Sequence, residues 1–250
     1  MIFLKTGEEI EIMDEANRIV HKVLDALGES LVPGATTLEL DRIAENMTLK
    51  EGAEPAFKNY HGYPASLCVS INDEVVHGIP SGKRTIREGD IVSVDFGVLY
   101  KGYYGDAART YAVGKVTGEA ARLIDVTRES LKKGVEQAVD GNRISDISKA
   151  VEGYVLDNGF SVVKDYVGHG IGKNLHEDPQ VPNFTKDDGG YPIRAGMVLA
   201  IEPMVNAGCS DVTVDRDGWT VRTRDGANSA HFEYSVAVTA DGPRILGVRS

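Results

Sequence analysis

The sequence predicts a mixed α/β (α+β) domain in which one helix–helix–strand unit occurs twice. Three observations carry the prediction. Shifted by 107 residues, the chain meets itself without a gap at Gly34 and Gly141, Gly52 and Gly159, Arg87 and Arg194, Gly89 and Gly196, and Asp95 and Glu202. Each half begins with apolar residues at helical spacing. Each half also carries a β-rich run ending on an acid, Ile91-Val92-Ser93-Val94-Asp95 in the first and Val198-Leu199-Ala200-Ile201-Glu202 in the second.

In the first half, Ala16, Ile19, Val20, Val23, Leu24 and Leu27 form the apolar stripe of a helix, and Pro33-Gly34 marks the turn behind it. A second helix is expected from about Thr37 to Lys50. The run from Ile91 to Tyr100 reads as a strand, Lys101-Gly102 as its turn and Tyr103-Tyr104-Gly105-Asp106 as the start of the return strand. With a two-residue turn centred on Tyr100-Lys101 or on Lys101-Gly102, Asp95 and Asp106 stand directly opposite or one diagonal step apart. They share a face in both registers, because side chains alternate with period two.

In the second half, Leu123, Val126 and Leu131 repeat part of the stripe, Asp140-Gly141 repeats the turn, and a helix is expected from about Ile144 to Asn158. Strand-like runs follow at Val198-Leu199-Ala200-Ile201 and from Phe232 to Val238. No Pro/Ser-rich linker parts the halves. Residues 1–250 therefore read as one catalytic domain, with halves of about 7–113 and 114–240 related by a pseudo-twofold axis.

Composition narrows the function. A chain of 250 residues with 42% apolar content has material for a core, and a formal charge of −11 argues against a general nucleic-acid or membrane-surface binder. The start Met1-Ile2-Phe3-Leu4-Lys5-Thr6-Gly7-Glu8-Glu9 lacks a signal-peptide core, and no stretch reaches transmembrane length, so a cytoplasmic location is expected. Cys68 and Cys209 make no disulfide framework, and both are expected reduced and buried.

The chemistry gathers in Asp95, Asp106, His169, Glu202 and Glu233, each set in an apolar or glycine-rich context. A buried acid must be paired or must coordinate a cation. Two like charges about 4 Å apart repel by roughly 4 kcal/mol at an effective dielectric near 20, so four converging carboxylates need cations to remain ionised. Two divalent ions balance them, at the spacing of roughly 3.5–4 Å used to activate a shared water for hydrolysis.

The segments Tyr60-His61-Gly62-Tyr63-Pro64-Ala65-Ser66-Leu67-Cys68, Val76-His77-Gly78-Ile79-Pro80, Gly105-Asp106, Gly168-His169-Gly170-Ile171-Gly172, His176-Glu177 and Glu202-Pro203, with Asn72, Asp95 and Glu233, carry a resemblance. Over essentially its whole length the chain resembles the type I methionine aminopeptidases of the bacterial, extension-free kind. The resemblance implies the pita-bread fold with an internal pseudo-twofold. It also implies removal of the N-terminal methionine from nascent proteins and peptides when the second residue is small, by a water or hydroxide bridging two metals. By the same resemblance, Asp95 binds one ion through both oxygens, Asp106 and Glu233 bridge, and His169 and Glu202 complete the other. Mn, Fe, Co and Zn all suit such ligands.

The resemblance further implies that His176 contacts the scissile carbonyl oxygen, that His77 contacts the scissile amide and that Glu202 takes the proton from the water. Tyr60, Tyr63, Cys68 and Trp219 match positions lining the family's methionine pocket, where aromatic edges and a sulfur offer polarizable contacts. Phe57 and Leu175 fall at rim positions where better-known bacterial members carry Cys and Phe, a departure that bears on rim shape. The Asn72 loop and Ser229 resemble a monovalent-cation site. The partners implied are nascent polypeptide N-termini and the ribosome, with no DNA or membrane, and a monomer is expected.

Two other readings compete. Proline-specific aminopeptidases and prolidase-like dipeptidases share the fold but usually carry a large N-terminal domain, whereas here about 76 residues precede His77. A metal-free binding protein on this fold would be expected to lose ligands, and all five stand in this sequence together with both histidines.

Overall fold

The computed structural model describes residues 1–186 and 189–248. The first half comprises α1 (Gly7–Ser30), α2 (Thr37–Lys50), β1 (Glu54–Pro55), β2 (Cys68–Ile71), β3 (Glu74–Val76), β4 (Ile91–Tyr100) and β5 (Tyr103–Ala112). The second comprises α3 (Gly118–Glu136), α4 (Ile144–Asp157), β6 (Ser161–Val162), β7 (Gly168–Gly170), β8 (Glu177–Val181), β9 (Val198–Ile201), β10 (Met204–Asn206), β11 (Val212–Val214), β12 (Val221–Thr223), β13 (Ser229–His231), β14 (Glu233–Thr239) and β15 (Gly242–Ile245).

Local chemistry starts the helices. Thr6 and Glu9 cap α1 reciprocally, and Thr36 and Glu39 do the same for α2, so orphan N–H groups at both N-termini are satisfied. At α4 the Asp146 carboxylate accepts from Arg143 N at 2.8 Å, which repeats the Glu39 contact one repeat later.

The repeat is visible in backbone detail. Helices α2 and α4 have bounds 107 residues apart, Thr37–Lys50 and Ile144–Asp157. Gly34 N donates to Ile86 O at 2.9 Å and Gly141 N to Ile193 O at 3.1 Å. The isolated bridges Thr36–Thr85 and Arg143–Pro192 are equivalent, and so are the left-handed glycines Gly34 (φ 98°) and Gly141 (φ 94°). The halves diverge after Glu202, because Pro203 lacks an N–H and interrupts the strand. The counterpart of long β4 is thus split into β9 and β10, which lie in different sheets.

The main sheet has nine strands in the order β1-β4-β5-β14-β9-β7-β8, with β2 on β4 and β15 on β14. Its pairings are antiparallel, which resolves the expected mixture of helix and strand as α+β. The halves join where β5 meets β14, with Ala108 opposite Glu233.

Period two then divides the sheet's faces. Val92, Val94, Phe96 and Val98 of β4 pack into one core with Val20, Leu24 and Leu27 of α1 and Leu40 of α2. Leu199, Ile201, Val236 and Val238 pack into another with Leu123 and Leu131 of α3 and Ile147 and Val151 of α4. Full burial of each such side chain stabilises the fold by roughly 1.5–3 kcal/mol. The intervening residues of these strands, Asp95 among them, face the other way. One expectation fails outside the core: Cys68 is buried, but Cys209 is exposed, held in a surface loop by its N–H donating to Asp225 Oδ2 at 2.6 Å.

Candidate metal centre and substrate cavity

The hairpin carrying the first two acids turns at Lys101-Gly102, where both residues have positive φ, 50° and 82°. That is the signature of a two-residue primed turn, whose twist matches the flanking strands. Of the two centrings open to the sequence, this one pairs Tyr100 with Tyr103 and sets Asp95 opposite Ala108 and Asp106 opposite Gly97. The acids are one diagonal step apart on one face. Register then extends the row across four strands: Cys68, Asp95, Ala108 and Glu233 stand in line on β2, β4, β5 and β14. Ala108 and Gly97 are small, which leaves room between the carboxylates.

His169 arrives from the second half on β7. A Cβ on Gly168 would lie 2.3 Å from Ala200 O, and one on Gly170 would lie 2.2 Å from Asp178 O. The flanking glycines are what let β7 seat between β9 and β8. His169 Nδ1 lies 2.9 Å from Gly170 O, so Nδ1 carries the proton and Nε2 keeps its lone pair for a metal. Nε2 is 3.5 Å from Glu202 Oε1. Ligand atoms of Asp106, His169 and Glu233 lie within 4.8 Å of one another, with Asp95 and Glu202 lining the same cavity.

The donor set fits divalent cations. Asp95 Oδ1, Asp106 Oδ1 and Glu233 Oε1 are buried without a hydrogen-bond partner among the described residues, a costly state for acceptor oxygens unless a cation satisfies them. Burial alone pushes the Asp95 carboxyl up to about 7. Burial, and then the neighbouring carboxylates, push Asp106, Glu202 and Glu233 well above the usual range. Burial chiefly, then the charge of His176, pulls His169 down to about 3, so its imidazole is neutral. Divalent cations would relieve every one of these shifts that belongs to a carboxylate.

One cavity of about 220 Å³ unites the expected residues. The four acids and the His169 imidazole, with His77, His176, Tyr60, Tyr63, Cys68 and Trp219, all line it, and Phe57 and Leu175 complete its apolar wall. The Tyr63 hydroxyl is shared between Leu67 O (3.0 Å) and Gly78 O (3.1 Å), and its ring meets Trp219 edge-on at 5.1 Å. Burial raises the Cys68 thiol, so it presents a neutral sulfur rather than a thiolate. His77, with φ at 55°, stands edge-on to Tyr166 and Trp219, and burial, then His176, pulls it down to about 4. Tyr60 Oη lies 2.7 Å from His176 Nδ1, and the His176 ring lies 4.3 Å from that of His169, tilted by 55°.

Asn72 and Ser229 do not reach this cavity. Ser229 N donates to Asn72 O at 2.8 Å, and the Asn72 side chain bonds Ile91 N at 3.0 Å and Asp90 Oδ1 at 2.9 Å. Two residues at the site lay outside the sequence expectation. His61 lines the cavity with its ring against Tyr60 at 4.4 Å, and buried His231 places Nε2 3.8 Å from Glu202 Oε2. For His231 a signal was available: it stands two residues before Glu233 in a strand-like run.

The profile of metallopeptidase family M24 matches residues 11–240. The chain belongs to metallopeptidase family M24. It is 53% identical over 246 residues to the methionine aminopeptidase of Clostridium acetobutylicum, covering 98% of each. The crystal structure of methionine aminopeptidase from Thermotoga maritima superposes with a TM-score of 0.97 at 45% identity, over 100% of both chains. A prolidase from Pyrococcus horikoshii shares the fold at TM-score 0.80 and 25% identity, and this chain spans 64% of its length. The pita-bread fold follows, and membership in M24 implies divalent metal ions in the cluster just described.

Proposed function

We propose that the chain is a methionine aminopeptidase that removes the N-terminal methionine from nascent proteins and peptides whose second residue is small. The carrying observation is the cross-strand row, which sets the sulfur of Cys68 beside the metal acid Asp95 in the same small cavity. At about 220 Å³ the cavity falls below the roughly 300–1,000 Å³ of drug-sized sites. It suits one unbranched side chain, and the edges of Tyr63 and Trp219 with the Cys68 sulfur suit a thioether.

Two divalent ions, drawn from Co, Mn, Fe or Zn, would be held by Asp95, Asp106, His169, Glu202 and Glu233, with Asp106 and Glu233 bridging. Bound there, they would supply Lewis acidity and a nucleophile from water at neutral pH. The chain's own groups do the rest. Glu202 accepts the proton of the attacking water. The Tyr60 hydroxyl, itself kept protonated by burial, donates to His176 Nδ1, so His176 carries its proton on Nε2 and offers it to the developing oxyanion. His77 bonds the scissile amide and steadies the leaving nitrogen.

Residues 1–250 act in this reading as one catalytic domain, in halves of about 7–113 and 114–240. The chain works as a monomer in the cytoplasm on N-termini emerging from the ribosome, and no described helix is long and apolar enough to cross a membrane. A monovalent cation belongs to the same reading, at the Asn72–Ser229 junction. Relatives bearing the aminopeptidase name match at full length, which favours this function over the prolidase-like one. The retained ligand set favours it over a metal-free binder.

Tripeptides decide the matter. With Met-X-Ser, cleavage should be fast for X as Ala, fall at Val and vanish at Ile, Leu and Lys, because refusal is steric and appears in kcat/KM. Comparable cleavage of Met-Leu-Ser and Met-Ala-Ser would mean a broad aminopeptidase. Faster cleavage of Leu-Ala-Ser than of Met-Ala-Ser would remove the methionine assignment.

A further inference from the structure

We propose that His231 is a positioning residue for Glu202, donating its Nε2–H to Glu202 Oε2 and fixing the carboxylate that the functional reading above makes both ligand and proton acceptor. His231 is 1% exposed, and its Nε2 has no hydrogen-bond partner among the described residues. The acid oxygen facing that nitrogen is Glu202 Oε2, at 3.8 Å, a small side-chain rotation from hydrogen-bond distance. A buried ring nitrogen left without a partner is costly, and an ionised carboxylate is the strongest acceptor it could take.

The other oxygen of Glu202 cannot be served in this way. His169 Nε2 faces Oε1 at 3.5 Å, but the His169 proton is committed to Gly170 O through Nδ1. Two imidazoles therefore flank one carboxylate with opposite roles: His169 brings a lone pair, and His231 brings a proton. The backbone around His231 is built to hold it there. Its N–H donates to Thr110 Oγ1 at 2.8 Å, the Thr110 hydroxyl donates to its carbonyl at 2.9 Å, and Ser93 Oγ lies 2.8 Å from the same hydroxyl. On the other side, β13 pairs with β10, Met204 opposite His231. Strands from both halves of the molecule thus brace the backbone that carries the ring. Partners of metal ligands usually contribute 10–100-fold to metal affinity or activity, which sets the scale.

His231→Leu removes the donor at similar bulk, and His231→Gln keeps an N–H that can reach the carboxylate. Mn²⁺ affinity by isothermal titration, and kcat and KM on Met-Ala-Ser at saturating Mn²⁺, are measured for both variants and the parent. The Leu variant should bind Mn²⁺ about 10–100-fold more weakly and lose kcat with little change in KM, and Gln should recover most of both. Parental affinity and kcat in the Leu variant would overturn the proposal. So would parental affinity and kcat with altered acceptance of X in Met-X-Ser, which would make His231 a wall of the site. Should the Leu variant fail to fold, the ¹⁵N-histidine spectrum of the Zn²⁺-loaded parent decides instead. An Nε2–H tautomer at His231 supports the assignment, and an Nδ1–H tautomer contradicts it. Failure of the parent to cleave Met-Ala-Ser would count against the functional reading alone, because Mn²⁺ affinity and tautomer are read without substrate.

Discussion

Asp106 meets two demands with separate atoms. Its backbone is anchored from both sides, N–H to Asn17 Oδ1 and Ser235 Oγ at 3.3 Å each and carbonyl from the Ser235 hydroxyl at 2.9 Å, while its Oδ1 is left without a partner. Asp106→Asn should therefore fold and lose activity, since the amide keeps the shape and discards the charge that the proposed reading assigns to both ions. Cleavage of Met-Ala-Ser above a tenth of the parent rate, a margin of about 1.4 kcal/mol of barrier, would contradict the bridging role. His176→Ala should cost on the order of 10²–10³-fold in kcat with KM nearly unchanged, because an oxyanion contact strengthens mainly in the transition state. A change confined to KM would make His176 a binding residue. At this scale the site was largely legible, because acids inside apolar strands contradict their surroundings and advertise themselves. His61 was not, since a histidine beside Gly62 breaks no local rule, and His231 was marked only by its place two residues before Glu233.

Among the elements, β7 shows how closely packing sets chemistry. Gly170→Ala adds one methyl 2.2 Å from Asp178 O, so β7 and β8 must part and carry His169 with them. Mn²⁺ affinity and kcat should both fall, and an unchanged variant would mean that His169 tolerates displacement. Gly153→Ala on the exposed face of α4 is the counterpart. No atom lies within 4 Å of its would-be Cβ, so it should keep activity and gain up to about 1 kcal/mol of helix stability, or roughly 2–4 °C in Tm. Helices α1–α4 and the β4–β5 hairpin were legible because apolar stripes in α1 and α3, the turns that follow them and the Lys101-Gly102 pair encode them locally. The short strands β3, β11, β12 and β13 and the pairing of β5 with β14 were not, because contacts with other segments, for β3–β12 and β5–β14 in the other half, decide them and no local period does.

For the molecule as a whole, His21 ties α1 to the C-terminal segment and to β5. Its Nε2 lies 3.2 Å from Leu246 O, and its Nδ1 faces Arg109 Nη2 at 3.1 Å. Burial, then the Arg109 charge, pulls its pKa down from 6.5 to about 4. The unfolded chain therefore binds that proton first. Stability is full above pH 6.5 and falls as pH drops towards about 4, by roughly 3 kcal/mol from this group at most. Urea midpoints of the parent should decline across that window more steeply than those of His21→Gln, and parallel curves would show that His21 contributes nothing.

Both halves of the molecule supply acids to one site, and divalent ions held there are the centre of the proposed chemistry. Calorimetric titration of metal-free chain with Mn²⁺ at pH 7.5 tests that directly. Two ions should bind per chain, with proton release, because carboxyls raised by burial must deprotonate to ligate, and the affinity should fall as pH drops below the Asp95 value of about 7. A chain that binds no divalent ion yet cleaves Met-Ala-Ser at full rate would contradict it.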